Sequence, residues 1–228
     1  ASSGGITSMV CMPNTTPPID QPAIIQSIQR KARKIALTKI FCTGCITRAY
    51  KGKEICELGL MNESGAVGFT DGLKSVDNAR VMRRALNYAK SFNGLIIQHA
   101  EEPNLSLGGN VNEGEISTRM GLVGIPSYAE AMIVERDIWL VKDTKCRYHV
   151  SHISSKETVN IIRKAKSEGL PITCDTAPPY FTLNDLALEN YRTFSKLSPP
   201  LKTEEDRKEI IEGLVDGTID AIVSDHTP

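Results

Sequence analysis

Four side chains that could bind a metal ion or carry a proton stand at the ends of strand-like apolar runs. In chain order they are Asp71, His99, His152 and Asp225. Imidazole nitrogens and carboxylate oxygens together form a ligand set that suits Zn²⁺ or a similar divalent ion. Another imidazole, that of His226, directly follows the last of them. The pattern therefore predicts a metal site that is assembled from distant parts of the chain.

Strand-like runs and helix-like stretches alternate along the chain, which favours a parallel sheet with helices outside it. The seven predicted strands cover residues 6–12, 40–46, 66–70, 95–98, 147–151, 170–174 and 219–224. Seven strands are one short of a closed (β/α)8 barrel, in which the carboxyl ends of the strands share one mouth. The alternative is a doubly wound open sheet, but the sequence lacks the Gly-rich phosphate turn that is typical of that fold. The long polar loop 100–125 is expected to border a functional site.

Two histidines compete for one place at the predicted mouth. His149 and His152 are three residues apart, so alternation along a strand points their side chains to opposite faces. His152 is nearer the mouth and is therefore the predicted ligand. His149 is expected to face the helix layer as a structural residue.

The composition is that of a soluble globular protein with an aliphatic core, and residues 1–228 are treated as one domain. The chain has 27 basic and 27 acidic residues, so its formal net charge is zero. This balance gives no electrostatic reason to expect nucleic acid or an anionic membrane as a partner. No apolar run approaches the ~20 residues of a membrane-spanning helix, and the first residues lack the order of a signal peptide. The expected location is cytoplasmic.

The six cysteines are scattered through strand-like runs, which is typical of reduced and buried thiols. Cys42-Thr-Gly-Cys45 has the Cys-x-x-Cys spacing of redox or zinc sites. Because no second pair accompanies it, two core cysteines are the expected interpretation.

Six motifs follow one another through the chain. They are Met12-Pro-Asn-Thr15, Gly65–Gly72, Gly121–Pro126 with Ala129-Glu130, His149–Ser154, Ser198-Pro-Pro-Leu201 and Ser224–Pro228. Together they resemble a bacterial class I dihydroorotase of the amidohydrolase superfamily, across essentially all 228 residues. The resemblance implies an incomplete TIM-type (β/α)8 barrel that carries strands 2 to 8. Strand 1 with the family's His-x-His motif, the last helix and an extra β domain are then missing, so the isolated chain is expected to be an inactive fragment.

The resemblance also implies an activity, the interconversion of N-carbamoyl-L-aspartate and L-dihydroorotate in pyrimidine biosynthesis. It implies one or two Zn²⁺ ions, with Asp71, His99, His152 and Asp225 as ligands. Asp225 would also be the catalytic proton shuttle. The implied substrate-binding residues are Asn14, Ser198 and His226. The expected partners are the small-molecule substrate, further copies of the chain in a homo-oligomer, and aspartate carbamoyltransferase.

Three places depart from the family's usual pattern. Thr70-Asp71-Gly72 has one aspartate fewer than Asp-Asp-Gly, and Ser198 stands where an asparagine is usual. Ala177-Pro-Pro-Tyr180 lacks the two histidines of Thr-Pro-His-His. These departures keep open a non-catalytic partner of aspartate carbamoyltransferase. A hydantoinase-like or allantoinase-like enzyme is the other alternative, and it would be expected to carry a carbamylated lysine near the position of Asp71.

Overall fold

A computed structural model describes residues 1–35 and 37–226 of the chain. The chain divides into two compact units. The first unit comprises Ala1–His99 and Leu140–Tyr148, and the second comprises Ala100–Trp139 and the residues from His149 onward. Each unit has its own buried residues and is described by itself.

The first unit contains four strands that are hydrogen-bonded in chain order. They are β1 (Ser8–Cys11), β2 (Lys39–Gly44), β3 (Ala66–Phe69) and β4 (Leu95–His99). All three neighbouring pairs are parallel. The helices that connect them are α1 (Pro22–Ile35), α2 (Leu58–Glu63) and α3 (Ala79–Lys90). Parallel neighbours need such crossover connections, so the alternation in the sequence produces this order.

Helix α3 illustrates how the local sequence sets an element. Its N-terminus is capped by Asn78, whose side chain accepts hydrogen bonds from the N–H groups of Arg80 and Val81. Its buried residues recur on one face, as the helical period requires, and they are Val81, Met82, Ala85, Leu86 and Ala89. Just beyond the helix, the ring of Phe92 packs edge to face with Phe69 at 6.0 Å between centroids. This contact fixes the end of α3 against β3.

The second unit contains the remaining helices and strands, two of which also include residues of the first unit. In chain order they are α4 (Pro103–Ser106), β5 (Val111–Asn112), α5 (Glu115–Met120), β6 (Gly124–Ile125), α6 (Tyr128–Thr144), β7 (Arg147–Ser151), α7 (Lys156–Ser167), β8 (Ile172–Thr176), α8 (Pro178–Thr182), α9 (Glu204–Val215) and β9 (Ala221–Ile222). Strands β8 and β9 pair in parallel, with Asp175 opposite Ala221. Helix α6 and strand β7 are the two elements that run through the boundary between the units.

All seven predicted strands are present; β7 has the predicted limits, and the limits of the other six differ from the prediction. The strand predicted at 170–174 is β8, which begins and ends two residues later, at Ile172 and Thr176. The predicted loop 100–125 is not irregular, because it contains α4, α5 and the parallel pair of β5 and β6. Among the residues described, no helix combines the length and the apolar composition that crossing a membrane requires.

A buried carboxylate holds the segment that follows β2. Oδ1 of Asp71 accepts hydrogen bonds from the N–H groups of Ile46 and Thr47, both at 2.9 Å. The Thr47 hydroxyl donates to Oδ2 of the same carboxylate and accepts the N–H of Gly52 at 2.9 Å. Asp71 is 2% exposed, so these donors have little access to water. Its removal would leave them buried without an acceptor, which is costly.

A second buried carboxylate holds the start of α7. Glu130, on α6, accepts hydrogen bonds from the N–H groups of Ser154 and Ser155 and from both serine hydroxyls. Ser155 is the N-cap of α7, and its hydroxyl oxygen accepts the N–H of Thr158 at 3.3 Å. Glu130 is 3% exposed. Charge-assisted hydrogen bonds of this kind are stronger than neutral ones, so Glu130 ties α6 to α7.

We expect Asp71→Ala to lower the free energy of unfolding by roughly 2 kcal/mol or more, because three donors lose their acceptor. Urea unfolding in the presence of a chelator measures this loss without any contribution from bound metal. The matched control is Glu63→Ala, which removes an exposed carboxylate of α2. Equal stability of the two variants would contradict a structural role for Asp71.

Glu130→Gln is expected to lower the free energy of unfolding by about 1–2 kcal/mol, because a neutral amide accepts fewer and weaker hydrogen bonds from the two serines. The control is Glu135→Gln on the same helix, whose side chain is exposed. Hydrogen exchange should show faster opening of the first turn of α7 in Glu130→Gln alone. Unchanged protection of that turn would contradict the role of Glu130 in holding the start of α7.

Candidate functional site

Three of the predicted site residues belong to the first unit. His99 is the last residue of β4 and is 2% exposed, while Asp71 follows β3 by two residues. The hydroxyl of Ser75 donates to the main-chain oxygen of His99 at 2.5 Å, which fixes the end of that strand. Asn14 is exposed in the segment between β1 and α1.

The other four predicted site residues belong to the second unit. His152 directly follows β7, and Asp225 follows β9 by three residues. The structure brings these two together, with Nε2 of His152 3.4 Å from Oδ1 of Asp225. Ser198 and His226 are both exposed. Two of the predicted site residues, a strand-end imidazole and a carboxylate, therefore lie side by side in this unit.

Asp175, which the sequence argument did not select, contacts two imidazoles. Its Oδ2 lies 2.8 Å from Nε2 of His149. Its Oδ1 accepts the N–H of His152 at 2.7 Å and lies 3.1 Å from Nδ1 of the same residue. Nδ1 of His149 lies 2.7 Å from Oγ1 of Thr173. One carboxylate at the end of β8 thus lies between the two histidines and is only 5% exposed.

The prediction that His149 and His152 point to opposite faces is wrong, because both rings reach Asp175. Alternation holds only while the backbone stays extended. His152 lies beyond the last residue of β7 and has φ of 57°, in the left-handed region. This left-handed conformation turns the His152 side chain toward the same carboxylate that the His149 ring contacts. The sequence signal that could identify Asp175 is its position at the end of an apolar run. The predicted strand limit at residue 174 excluded this residue.

The charges around His152 stabilise its protonated form. Burial by itself lowers the pKa of His152, but contacts with Asp175 and Asp225 outweigh this, so its pKa is raised. Burial by itself raises the pKa of Asp175, but the bonds to His149 and His152 outweigh it. The pKa of Asp175 therefore lies well below its usual range. The second unit thus holds an ionised carboxylate beside two imidazoles.

Donor chemistry shows which of the four predicted ligands fit a divalent ion. The imidazoles of His99 and His152 and the carboxylate of Asp225 are of the types that Zn²⁺ prefers. Asp71 fits less well, since three of its roughly four lone-pair positions already accept hydrogen bonds. Burial raises its pKa, although the bonds from Thr47 and Ile46 act in the opposite direction. Across residues 1–35 and 37–226, no three His, Cys, Asp or Glu side chains form a group that could hold a metal ion.

The Cys-x-x-Cys pair has the features of core cysteines. Cys42 and Cys45 are both fully buried, and neither forms a disulfide. Burial, together with the neighbouring Cys11, raises the pKa of Cys42 to about 11. Burial also raises the pKa of Cys45. A thiol with a raised pKa is a poor nucleophile and a poor metal ligand, which agrees with the core interpretation.

Comparison with known proteins places this chain among dihydroorotase-like sequences. A family model described as dihydro-orotase-like matches residues 1–158. A dihydroorotase of Caldicellulosiruptor saccharolyticus is 43% identical over 228 residues, which is 100% of this chain and 53% of that protein. A dihydroorotase of Geotalea daltonii is 47% identical, over 100% of this chain and 54% of that protein. The chain spans about half the length of the curated relatives that it matches.

Solved structures share the fold at lower sequence identity. An L-hydantoinase (dihydropyrimidinase) from Arthrobacter aurescens matches with a TM-score of 0.80 and 23% identity, over 99% of this chain and 51% of that one. A dihydroorotase from Saccharomyces cerevisiae, solved with 5-fluoroorotic acid, matches with a TM-score of 0.76 and 16% identity, over 99% and 63%. These matches confirm an incomplete TIM-type (β/α)8 barrel and exclude the doubly wound sheet. With a family model that matches more than half of its residues, the chain belongs to the dihydro-orotase-like family.

Proposed function

We propose that the protein containing this chain is a metal-dependent cyclic amidohydrolase that interconverts N-carbamoyl-L-aspartate and L-dihydroorotate. The observation that carries the proposal is the identity of 42–47% to proteins named dihydroorotase along the whole of this chain. The contact between His152 and Asp225 supports it, because it brings a proposed metal ligand beside the proposed proton carrier.

The reaction in the hydrolytic direction needs a nucleophile and a protonated leaving group. The oxygen of water adds to the ring carbonyl carbon, the carbon–nitrogen bond breaks, and the ring nitrogen takes up a proton. Asp225 accepts the proton from water and passes it to the departing nitrogen, as general base and then general acid. Ring closure follows the same path in reverse.

We propose that His99, His152 and Asp225 bind a divalent metal ion, of which Zn²⁺ is the expected identity. Such an ion lowers the pKa of water towards about 7 and polarises the carbonyl group. The number of ions, one or two, depends on ligands beyond these residues. Asp71 remains a weaker candidate ligand, since its oxygens already accept three hydrogen bonds.

Substrate binding is assigned to three side chains at exposed positions. The amide of Asn14 donates to a substrate carboxylate, and His226 contacts the substrate beside Asp225. Ser198 replaces the usual asparagine with a shorter hydroxyl, so it is expected to hold the substrate more weakly. The proposed location of the protein is the cytoplasm, and its proposed assembly is a homo-oligomer.

A second candidate function is a non-catalytic partner of aspartate carbamoyltransferase. The observation in its favour is Thr70-Asp71-Gly72, where one aspartate of the family pattern is missing and the other carboxylate serves the fold. Carbamoyl-aspartate cyclisation by the whole protein distinguishes the two candidates. Turnover supports the enzyme, whereas a metal-free protein that binds the transferase without turnover supports the partner.

Asp225→Asn in the whole protein is expected to lower turnover by roughly 100-fold or more, because the amide cannot carry the proton. The measurement is the rate of carbamoyl-aspartate cyclisation, with circular dichroism to confirm the fold. Glu212→Gln, which changes an exposed carboxylate of α9, is the control and should retain full activity. Activity of Asp225→Asn within a few-fold of the parent would contradict the proton-carrying role.

Metal content tests the ligand assignment separately from turnover. The whole protein is expected to contain a divalent ion, and His152→Ala should lose most of it, since one imidazole ligand is removed. Elemental analysis by mass spectrometry gives the ratio of metal to protein. The control is His226→Asn, which alters a proposed substrate contact and should keep its metal. Equal metal content in the two variants would remove His152 from the ligand set.

A further inference from the structure

The turn of residues 71–75, which follows β3, is held at both of its ends. At its start, the carboxylate of Asp71 accepts two N–H groups of the segment that follows β2. At its end, the hydroxyl of Ser75 donates to the main-chain oxygen of His99 at 2.5 Å. The residues between these two anchors therefore lie beside the carboxyl end of β4, within the first unit.

The ring of Tyr50 packs against the middle of this turn. Its hydroxyl oxygen accepts the N–H of Leu73 at 2.9 Å. Gly72 allows this approach, because a Cβ atom at that position would lie 2.8 Å from the Tyr50 hydroxyl oxygen. The φ of Gly72 is 60°, in the left-handed region that favours glycine. The sequence of the turn thus provides a seat for the Tyr50 side chain.

Lys74 places a positive charge over the face of the Tyr50 ring. Its Nζ lies 4.9 Å from the ring centroid, which is within the range of a cation–π contact. Its main-chain N–H donates to the oxygen of Asp71 at 3.1 Å, so both ends of the residue have defined neighbours. The residue is nevertheless exposed to solvent. An ammonium group has three N–H donors, and the contact with a ring face leaves donors for the oxygens of a carboxylate.

The two compounds of the proposed reaction share one carboxylate. Carbamoyl aspartate has two carboxylates, and ring closure converts one of them into a ring carbonyl group. The other keeps its negative charge in both compounds, so it needs a counter-charge that takes no part in bond making or breaking. Hydrogen bonds between an ammonium group and a carboxylate are stronger than neutral ones, and they act equally on substrate and product.

We infer that Lys74 is a substrate-binding residue, whose ammonium group binds the carboxylate that N-carbamoyl-L-aspartate and L-dihydroorotate share. Tyr50 is a positioning residue, because its ring holds Nζ of Lys74 over the turn. The inference rests on the proposed function and deepens it. It makes Lys74 a determinant of specificity, since a ring compound without the carboxylate gains nothing from the ammonium group.

The test compares two ring compounds that differ only in this carboxylate, with the whole protein. L-Dihydroorotate is the substrate, and 5,6-dihydrouracil is a competitive inhibitor of its hydrolysis. Lys74→Gln is expected to raise KM for dihydroorotate roughly 10-fold with a smaller change in kcat, because a charge-assisted contact in the bound state is lost. The inhibition constant of dihydrouracil should stay unchanged. Lys74→Arg should restore most of the affinity, since a guanidinium group also binds carboxylates.

Lys53→Gln is the matched control, because it removes an exposed lysine from the segment that carries Tyr50. It should leave both constants unchanged. Tyr50→Leu removes the ring face while keeping Lys74, and it should raise KM for dihydroorotate by a smaller factor. A purely structural role of Lys74 would weaken the binding of both compounds together. That result, or an unchanged KM in Lys74→Gln, would overturn the inference.

Reductive methylation of lysines supplies a readout that does not depend on turnover. In the parent protein, dihydroorotate should slow the methylation of Lys74 several-fold but not that of Lys53, as measured by mass spectrometry of peptides. Dihydrouracil should slow neither. A protein that hydrolyses dihydroorotate while Lys74 stays unprotected would keep the proposed function and overturn the inference. A protein that neither binds nor hydrolyses dihydroorotate would refute the proposed function, and the inference with it.

Discussion

Main-chain N–H groups that follow a strand must find acceptors, and in this protein buried carboxylates provide them. Asp71 receives the N–H groups of residues 46 and 47, and Asp175 receives that of His152. Glu130 receives those of residues 154 and 155. An unpaired donor at a buried position costs about 1–3 kcal/mol, so each carboxylate stabilises the turn that it holds. The turn that Asp175 holds carries His152, a residue of the proposed site, so the site depends on the fold at this point.

The sequence predicts the order of elements well because that order depends on short-range patterns. All seven strands were located from apolar runs, and α3 was located from the helical spacing of its apolar residues. Apolar runs do not predict the exact strand limits, since hydrogen bonding with a neighbouring strand decides where a strand ends. The two-residue displacement of β8 is an example, because the predicted limit at residue 174 leaves Asp175 outside the strand.

The site was predicted in part. The contact between His152 and Asp225 could be anticipated from two strand ends, because parallel strands present their carboxyl ends together. The joint contact of His149 and His152 with Asp175 could not be anticipated. It depends on the positive φ angle of His152, whereas the alternation of side chains assumes an extended backbone. Likewise, the hydrogen bonds to Asp71 depend on how the segment after β2 folds back. Residue type showed the chemistry, while the tertiary structure decided which groups are available for it.

The first turn of α7 has a consequence for how an anionic substrate can be bound. A helix N-terminus attracts anions through the positive end of the helix dipole and its free N–H groups. Here the N–H groups of residues 154 and 155 donate to Glu130, and that of Lys156 donates to Asp206 at 2.9 Å. Two negative charges therefore already compensate the dipole at this end of α7. Any carboxylate of a ligand must find its counter-charge elsewhere, on side chains rather than on this helix.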